Sequence, residues 1–214
     1  MHEESSKSEA FKKYTHSIIP NFIDFDKYPL LNRKEQNTKL NIDNGLKTLM
    51  FIAQDINNHR KGFDLLLTSL KNITEKVNII TIGGEKTPLN SNFNHVHINK
   101  IDKISELNAY YAASDLVLLT SREDNLPNVM LEAMANGTPV ASFKIGGMKD
   151  WIIDNKTGIL VDPFDADQFR KELEKFINGQ VNFNHEEIYN YAKKNFDVNT
   201  NIEKIINLYK KILK

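Results

Sequence analysis

Residues 122–137, REDNLPNVMLEAMANG, hold an acid in apolar company: Glu132 stands among Val129, Met130, Leu131, Ala133, Met134 and Ala135. Pro127 suits the first turn of a helix and Asn136-Gly137 its far end, so the stretch reads as a helix that is apolar nearly all round and buried, with Glu132 buried in it. An unpartnered buried carboxylate would cost several kcal/mol, too much for a domain stable by only about 5–15 kcal/mol. Glu132 therefore needs a partner. Either backbone or a protein donor satisfies it, or it accepts both hydroxyls of a ribose, for which a carboxylate has the lone pairs. Upstream, HRKG at 59–62 sets Arg60 and Lys61 before a helix whose free N–H groups and dipole attract anions. Two cations there suit a diphosphate, and such a pair is also ordinary solvated surface. Gly83-Gly84 and Gly146-Gly147 follow strands, where glycine lets backbone approach a ligand or simply turns the chain. None of the six histidines has metal-ligand spacing or a partnering acid and nucleophile, so no metal site and no hydrolytic triad is assigned.

These residues need a scaffold. LKTLMFIA (46–53), VNIITIGG (77–84), LVLLT (116–120) and TPVASF (138–143) are apolar strand-like runs, as a sheet covered on both faces requires. Between them KGFDLLLTSLKNI, ISELNAYYAAS and PNVMLEAMANG repeat apolar residues at helical spacing. Strand-helix alternation of this kind predicts an α/β fold with a doubly wound parallel, Rossmann-like sheet. Ligands bind such sheets where strand carboxyl ends meet helix amino ends, which singles out QDINNHRKG, GGEK, SREDNLPN and KIGG.

The ends differ from this middle. Residues 1–45 carry one short apolar run, HSIIP, then a polar connector, with two prolines across them, Pro20 and Pro29, and read as an entry segment and linker, not a core. Residues 46–180 form the Rossmann-like unit and 181–214 its trailing helices, with helical segments near 165–177, 184–195 and 199–214. In the last, Ile202, Ile205, Ile206, Tyr209, Ile212 and Leu213 share a face beside Lys204, Lys210, Lys211 and Lys214. Such a helix packs on its own protein or lies peripherally on a membrane surface.

At 214 residues and 40% hydrophobic, the chain can bury a core as one large domain. Lys plus Arg and Asp plus Glu both number 28, so bulk charge recruits no nucleic acid. No cysteine is present, which excludes disulfides and thiolate metal sites. No apolar run approaches the ~18 residues of a spanning helix and the opening is polar and acidic. The expectation is a cytoplasmic protein, with peripheral contact at the inner membrane face left open.

SREDNLPNVMLEAMANGTPVASFKIGGMKDWIIDNKTGILVDPFDADQF resembles the donor-binding signature of retaining glycosyltransferases of GT-B architecture, group 1. HRKGFDLLLTSL resembles their phosphate-binding loop and helix, and SIIPNFIDFDKY their interdomain linker. The resemblance implies the nucleotide-sugar-binding half of an enzyme, of hexosyltransferase type, that moves a sugar from a nucleoside diphosphate sugar to a glycan, lipid or other acceptor. It implies no cofactor and no required metal. The family's two acids, with seven residues between them, fall on Asp124 and Glu132, with Glu132 on the ribose and Asp124 toward the transferred sugar, where the family usually has Glu. Donor contacts are further implied at Arg60, Lys61, Gly62, Gly84, Ile101, Asn125, Leu126 and Asn128. The arginine usual six positions before the lysine is replaced by Asp55, a role Arg60 can take. The resemblance also implies an amino-terminal acceptor-binding domain, in cis or trans, without which the isolated chain transfers little sugar. A non-catalytic nucleotide-binding remnant and a GT-B relative such as a sugar-nucleotide epimerase or phosphorylase remain alternatives. A receiver-type signalling domain fits the alternation but lacks its acidic triad.

Overall fold

Apolar runs too continuous for a half-exposed surface lie between layers of helices. The computed structural model describes residues 2–56 and 58–213. Their order is α1 (His2–Lys7), α2 (Arg33–Lys39), β1 (Thr48–Ile52), α3 (Phe63–Leu70), β2 (Val77–Ile82), β3 (Phe93–Ile98), α4 (Ile104–Ala113), β4 (Leu116–Leu119), α5 (Asn128–Ala135), β5 (Val140–Phe143), α6 (Met148–Trp151), β6 (Gly158–Val161), α7 (Ala166–Ile177), α8 (His185–Phe196) and α9 (Val198–Ile212). Six parallel strands lie in the order β3-β2-β1-β4-β5-β6, the doubly wound arrangement expected. The winding reverses between β1 and β4, joined in register at Leu49 with Leu116 and Met50 with Val117. A crevice opens at such a reversal, on the carboxyl side of the strands.

Alternation along each strand feeds two cores. Met50, Ile80, Ile82 and Val117 face Met130 and Met134 of α5 and Ile188, Ala192 and Phe196 of α8. Leu49, Phe51, Ile79 and Leu116 face Phe63, Leu66 and Leu70 of α3 and Phe169, Leu173 and Phe176 of α7.

Three expectations change. Strands β3 and β6 join the four that were expected. Residues 1–45 are more than a connector: Phe25, Tyr28 and Ile42 are buried in the first core. Their spacing has no period to betray them, and Phe25 is seated edge-on against Tyr189 of α8. Ile23 bridges to Asp197 and pins the segment to the α8–α9 junction. The third change concerns α9, whose apolar residues divide. Asn201 is buried and Ile205 and Leu208 are half-buried, while Ile202, Ile206, Tyr209, Ile212 and Leu213 are exposed. Met1, Asn57 and Lys214 lie outside the described residues. Among the described residues no helix is long and apolar enough to cross a membrane.

The amino-terminal end of the sheet carries a polar clasp. Asp115 Oδ2 accepts the Thr48 N–H at 2.8 Å, and Arg33 of α2 bonds both Asp115 and the His185 ring. His185 Nδ1–H donates to the Gly137 carbonyl at 2.7 Å, which leaves Nε2 as the acceptor for Arg33 and requires a neutral ring. Burial first, and the Arg33 charge second, push the His185 pKa below its ordinary value. The unfolded chain then binds a proton that the folded chain refuses. Stability contributed by the neutral ring is complete above the unfolded histidine value of about 6.5 and is lost as pH falls through the depressed one. His185→Asn, which keeps a donor for Gly137 and cannot titrate, is expected to flatten the acid limb of a urea-midpoint profile between pH 7.5 and 5. An unchanged acid limb would assign that loss to other groups.

Candidate functional site

Four loops meet beyond the carboxyl ends of β1, β2, β4 and β5. After β1, Asn58 caps a short 3-10 turn at His59–Lys61 by accepting the Arg60 N–H at 3.0 Å. Gly62 then enters α3 in the left-handed region, at φ 67°. A Cβ there would come within 1.9 Å of the Thr120 carbonyl oxygen, so the turn lies flush on the end of β4. Thr120 Oγ1 donates to the Gly62 carbonyl at 2.8 Å and locks that contact.

The loop after β4 carries the acid. Lys61 Nζ lies 2.8 Å and Arg60 Nη1 3.5 Å from the same oxygen, Oδ2 of Asp124. Arg60 Nη1 also donates to the Glu123 carbonyl at 3.0 Å. Asp124, only 12% exposed at its side chain, thus joins two loops that are 63 residues apart in sequence. The backbone beneath is held by Gly146-Gly147 after β5: a Cβ on Gly146 would fall 1.7 Å from the Asp124 carbonyl oxygen, and the Gly147 N–H donates to Asn125 at 2.5 Å. The close approach allowed by these glycines is therefore to the acid loop itself. Gly83 works likewise against Ala53, and Gly84 lies against Ile56.

Arg122 is a positioning residue the sequence reading did not single out. Its N–H donates to the Arg60 carbonyl at 2.8 Å, its Nη1 to the His59 carbonyl at 2.9 Å, and its guanidinium grips both oxygens of Asp64 at 2.7 and 2.6 Å. The bidentate pair holds Asp64 below the usual carboxylate range. A charge shortly after β4 and an acid in the first turn of α3, 58 residues earlier, are the sequence signal for it. Arg60, Arg122, Glu123, Asp124, Asn125, Ile145, Gly146 and Lys149 line an open cavity of about 500 Å³.

Glu132 has a protein donor after all. The Tyr111 hydroxyl of α4 donates to its Oε2 at 2.8 Å, and Glu132 is partly exposed rather than buried, unlike the flanking Leu131 and Ala133. Burial raises its pKa and the Tyr111 bond opposes that shift. Tyr28, brought in by the entry segment, is pushed up to about 12 by burial and by Glu132. One carboxylate oxygen is thus committed while the other has no protein hydrogen-bond partner among the described residues. Among the described residues Glu132 makes no hydrogen bond or ion pair with Arg60, Lys61 or Asp124; the polar groups it interacts with are the hydroxyls of Tyr111 and Tyr28. Asn125 and Asn128 are exposed; Leu126 is half-buried, its carbonyl accepting from Asn21 at 3.0 Å. Ile101 is half-buried in the loop between β3 and α4 and packs on the first core. Among the described residues no group of three or more His, Asp or Glu side chains could hold a metal ion.

The family model for glycosyl transferases group 1 matches residues 32–195. The chain belongs to that family. An uncharacterized glycosyltransferase of Methanocaldococcus jannaschii is 23% identical over 193 residues, 82% of this chain and 55% of that protein. A sucrose-phosphate synthase structure from Thermosynechococcus elongatus superposes with a TM-score of 0.82 at 19% identity, covering 99% of this chain and 56% of that one. Anabaena HepE, solved in complex with UDP and glucose, superposes with a TM-score of 0.72 at 19% identity, over 91% of this chain and 57% of that one. The group 1 chain described here therefore spans about half the length of these proteins. Within this glycosyltransferase domain, residues 60–62 and 122–147 carry the loops that converge at the sheet reversal.

Proposed function

We propose that this domain binds the nucleoside diphosphate sugar for a glycosyltransferase that transfers with retention of configuration. The observation that carries this reading is the meeting of Arg60 and Lys61 with Asp124 beyond the sheet reversal, at the amino end of α3. Two cations and a helix amino terminus are a diphosphate's natural partners. In this reading Lys61 and Arg60 hold the phosphates and carry the charge that develops on the leaving diphosphate. Asp124 meets the sugar's hydroxyls, and backbone N–H groups of Asn125 and Leu126 the sugar and phosphate. Glu132 takes the ribose, and Gly62, Gly84, Ile101 and Asn128 complete the cradle. The acceptor is held by a second domain, in cis or trans, and chemistry requires both. HepE's UDP and glucose make a uridine nucleotide the first candidate.

Half of a cleft should hold its ligand with about −4 to −6 kcal/mol, a dissociation constant from tens of micromolar to millimolar. A ligand at one hundred times that constant adds about 2.7 kcal/mol of stability. A thermal-shift panel of UDP, GDP, ADP and their sugars should therefore raise the melting temperature for one base and not for all. No shift with any member favours a non-catalytic remnant and overturns the reading.

A further inference from the structure

The cations of the site are already engaged. Lys61 and Arg60 both lie on Oδ2 of Asp124, at 2.8 and 3.5 Å, and neither side chain is fully exposed. A diphosphate arriving there meets cations already neutralised in part, beside a carboxylate that repels it. We propose that Asp124 is a built-in competitor of the diphosphate, and that its contact with Lys61 must open before phosphates can bind. The inference rests on the donor-site reading above and adds its regulation.

Geometry confines the motion to side chains. Gly146 and Gly147 pack against the Asp124 and Asn125 carbonyls too closely for the loop backbone to give way on that side. On the other side Arg122, clasped to Asp64, bonds the His59 and Arg60 carbonyls and holds the cation turn. The backbone is thus braced from both flanks, and the side-chain torsions of Asp124, Lys61 and Arg60 are what remains free. Two states follow, one with the carboxylate on Lys61 and one with it turned into the cavity lined by Ile145, Gly146 and Lys149. A nucleoside diphosphate without its sugar offers the displaced carboxylate nothing. An intact donor offers it sugar hydroxyls, which replace the lost ion pair. The contact therefore favours intact donor over spent nucleoside diphosphate, because a ligand shifts such an equilibrium only by what it gains in one state over the other. Return of Asp124 to Lys61 after transfer would help expel the product.

The test compares the wild-type chain with Asp124→Asn, which keeps the shape and removes the charge, using inorganic pyrophosphate, UDP, GDP, ADP and UDP-glucose in calorimetry. The variant should bind pyrophosphate and the favoured nucleoside diphosphate about three- to thirtyfold more tightly, the range a charged hydrogen-bonded competitor can impose. Its preference for sugar-bearing donor over the bare diphosphate should shrink. A Lys61→Ala change should cost more pyrophosphate affinity when combined with Asp124→Asn than when made in the wild-type chain. Should Asp124→Asn not fold, Asp124→Ser serves the same comparison. Wild-type binding with equal or weaker pyrophosphate affinity in the variant overturns the competitor while leaving the donor site intact. No binding of any probe by either chain overturns the donor site, and the competitor with it.

Discussion

Gly62→Ala is expected to destabilise the fold by about 2–5 kcal/mol and to weaken diphosphate binding at least tenfold in whatever folded fraction survives. Two independent costs add at this position. The backbone sits at φ 67°, where an L side chain costs about 1–2 kcal/mol. The new Cβ also lands 1.9 Å from the Thr120 carbonyl oxygen and 2.8 Å from its carbon, atoms of a buried strand end that cannot retreat. The turn must lift instead, and Lys61 lifts with it. Thr120 Oγ1 then loses the Gly62 carbonyl. Gly179→Ala is the matched control: it has φ 74° but nothing within 4 Å of the added carbon, so it should show the backbone cost alone. Urea unfolding of the two variants separates strain from collision. Equal losses at 62 and 179 would mean that the turn does not lie on β4 as described, and intact pyrophosphate affinity in Gly62→Ala would detach Lys61 from the phosphates.

How far the sequence foretells this site depends on where the partners lie. Within one stretch it succeeds. The near-continuous apolar character of β1, β2, β4 and β5 predicts a parallel sheet because burial on both faces leaves no polar alternation. Edge strand β3 hides because its Asn94, His95 and His97 are only partly buried or exposed and break the apolar run. Through-space partners are beyond such a reading. Lys61 and Asp124 are 63 residues apart, and Tyr111 and Glu132 are 21 apart. Charge and burial arguments demanded a partner for Glu132 without being able to name Tyr111, whose hydroxyl looks like one more apolar helix position until α4 and α5 are laid side by side. Phe25 and Tyr28 illustrate the same blindness: lone aromatics in a polar connector have no pattern, and only the finished surface of α8 and α5 gives them a socket.

Glu132→Gln should separate stability from binding. Burial raises the Glu132 pKa, and a carboxyl whose folded value lies above its unfolded one favours folding below the unfolded value and loses that contribution as pH rises through the folded value. At neutral pH the charge is therefore tolerated at a cost, and the neutral amide, whose oxygen still accepts from Tyr111, should leave the melting temperature unchanged or higher. Nucleoside diphosphate affinity should fall about 10- to 100-fold, because hydrogen bonds to a charged acceptor are worth about 1.5–3 kcal/mol more than none. The loss should vanish when the nucleotide lacks both ribose hydroxyls, so the variant and wild type should bind a 2′,3′-dideoxy nucleoside diphosphate alike. Tyr111→Phe provides the opposite signature: Tyr111 is fully buried and its hydroxyl donates to Oε2, so its removal should lower stability by about 1–3 kcal/mol. If Glu132→Gln instead melts lower and binds ribose-bearing and dideoxy nucleotides equally well, the carboxylate serves only to anchor α4 to α5. A polar strut between helices gives no reason to keep a charge where an amide would hold the same hydroxyl. The measured sign of the stability change thus decides whether Glu132 is charged for the fold or for what the fold holds.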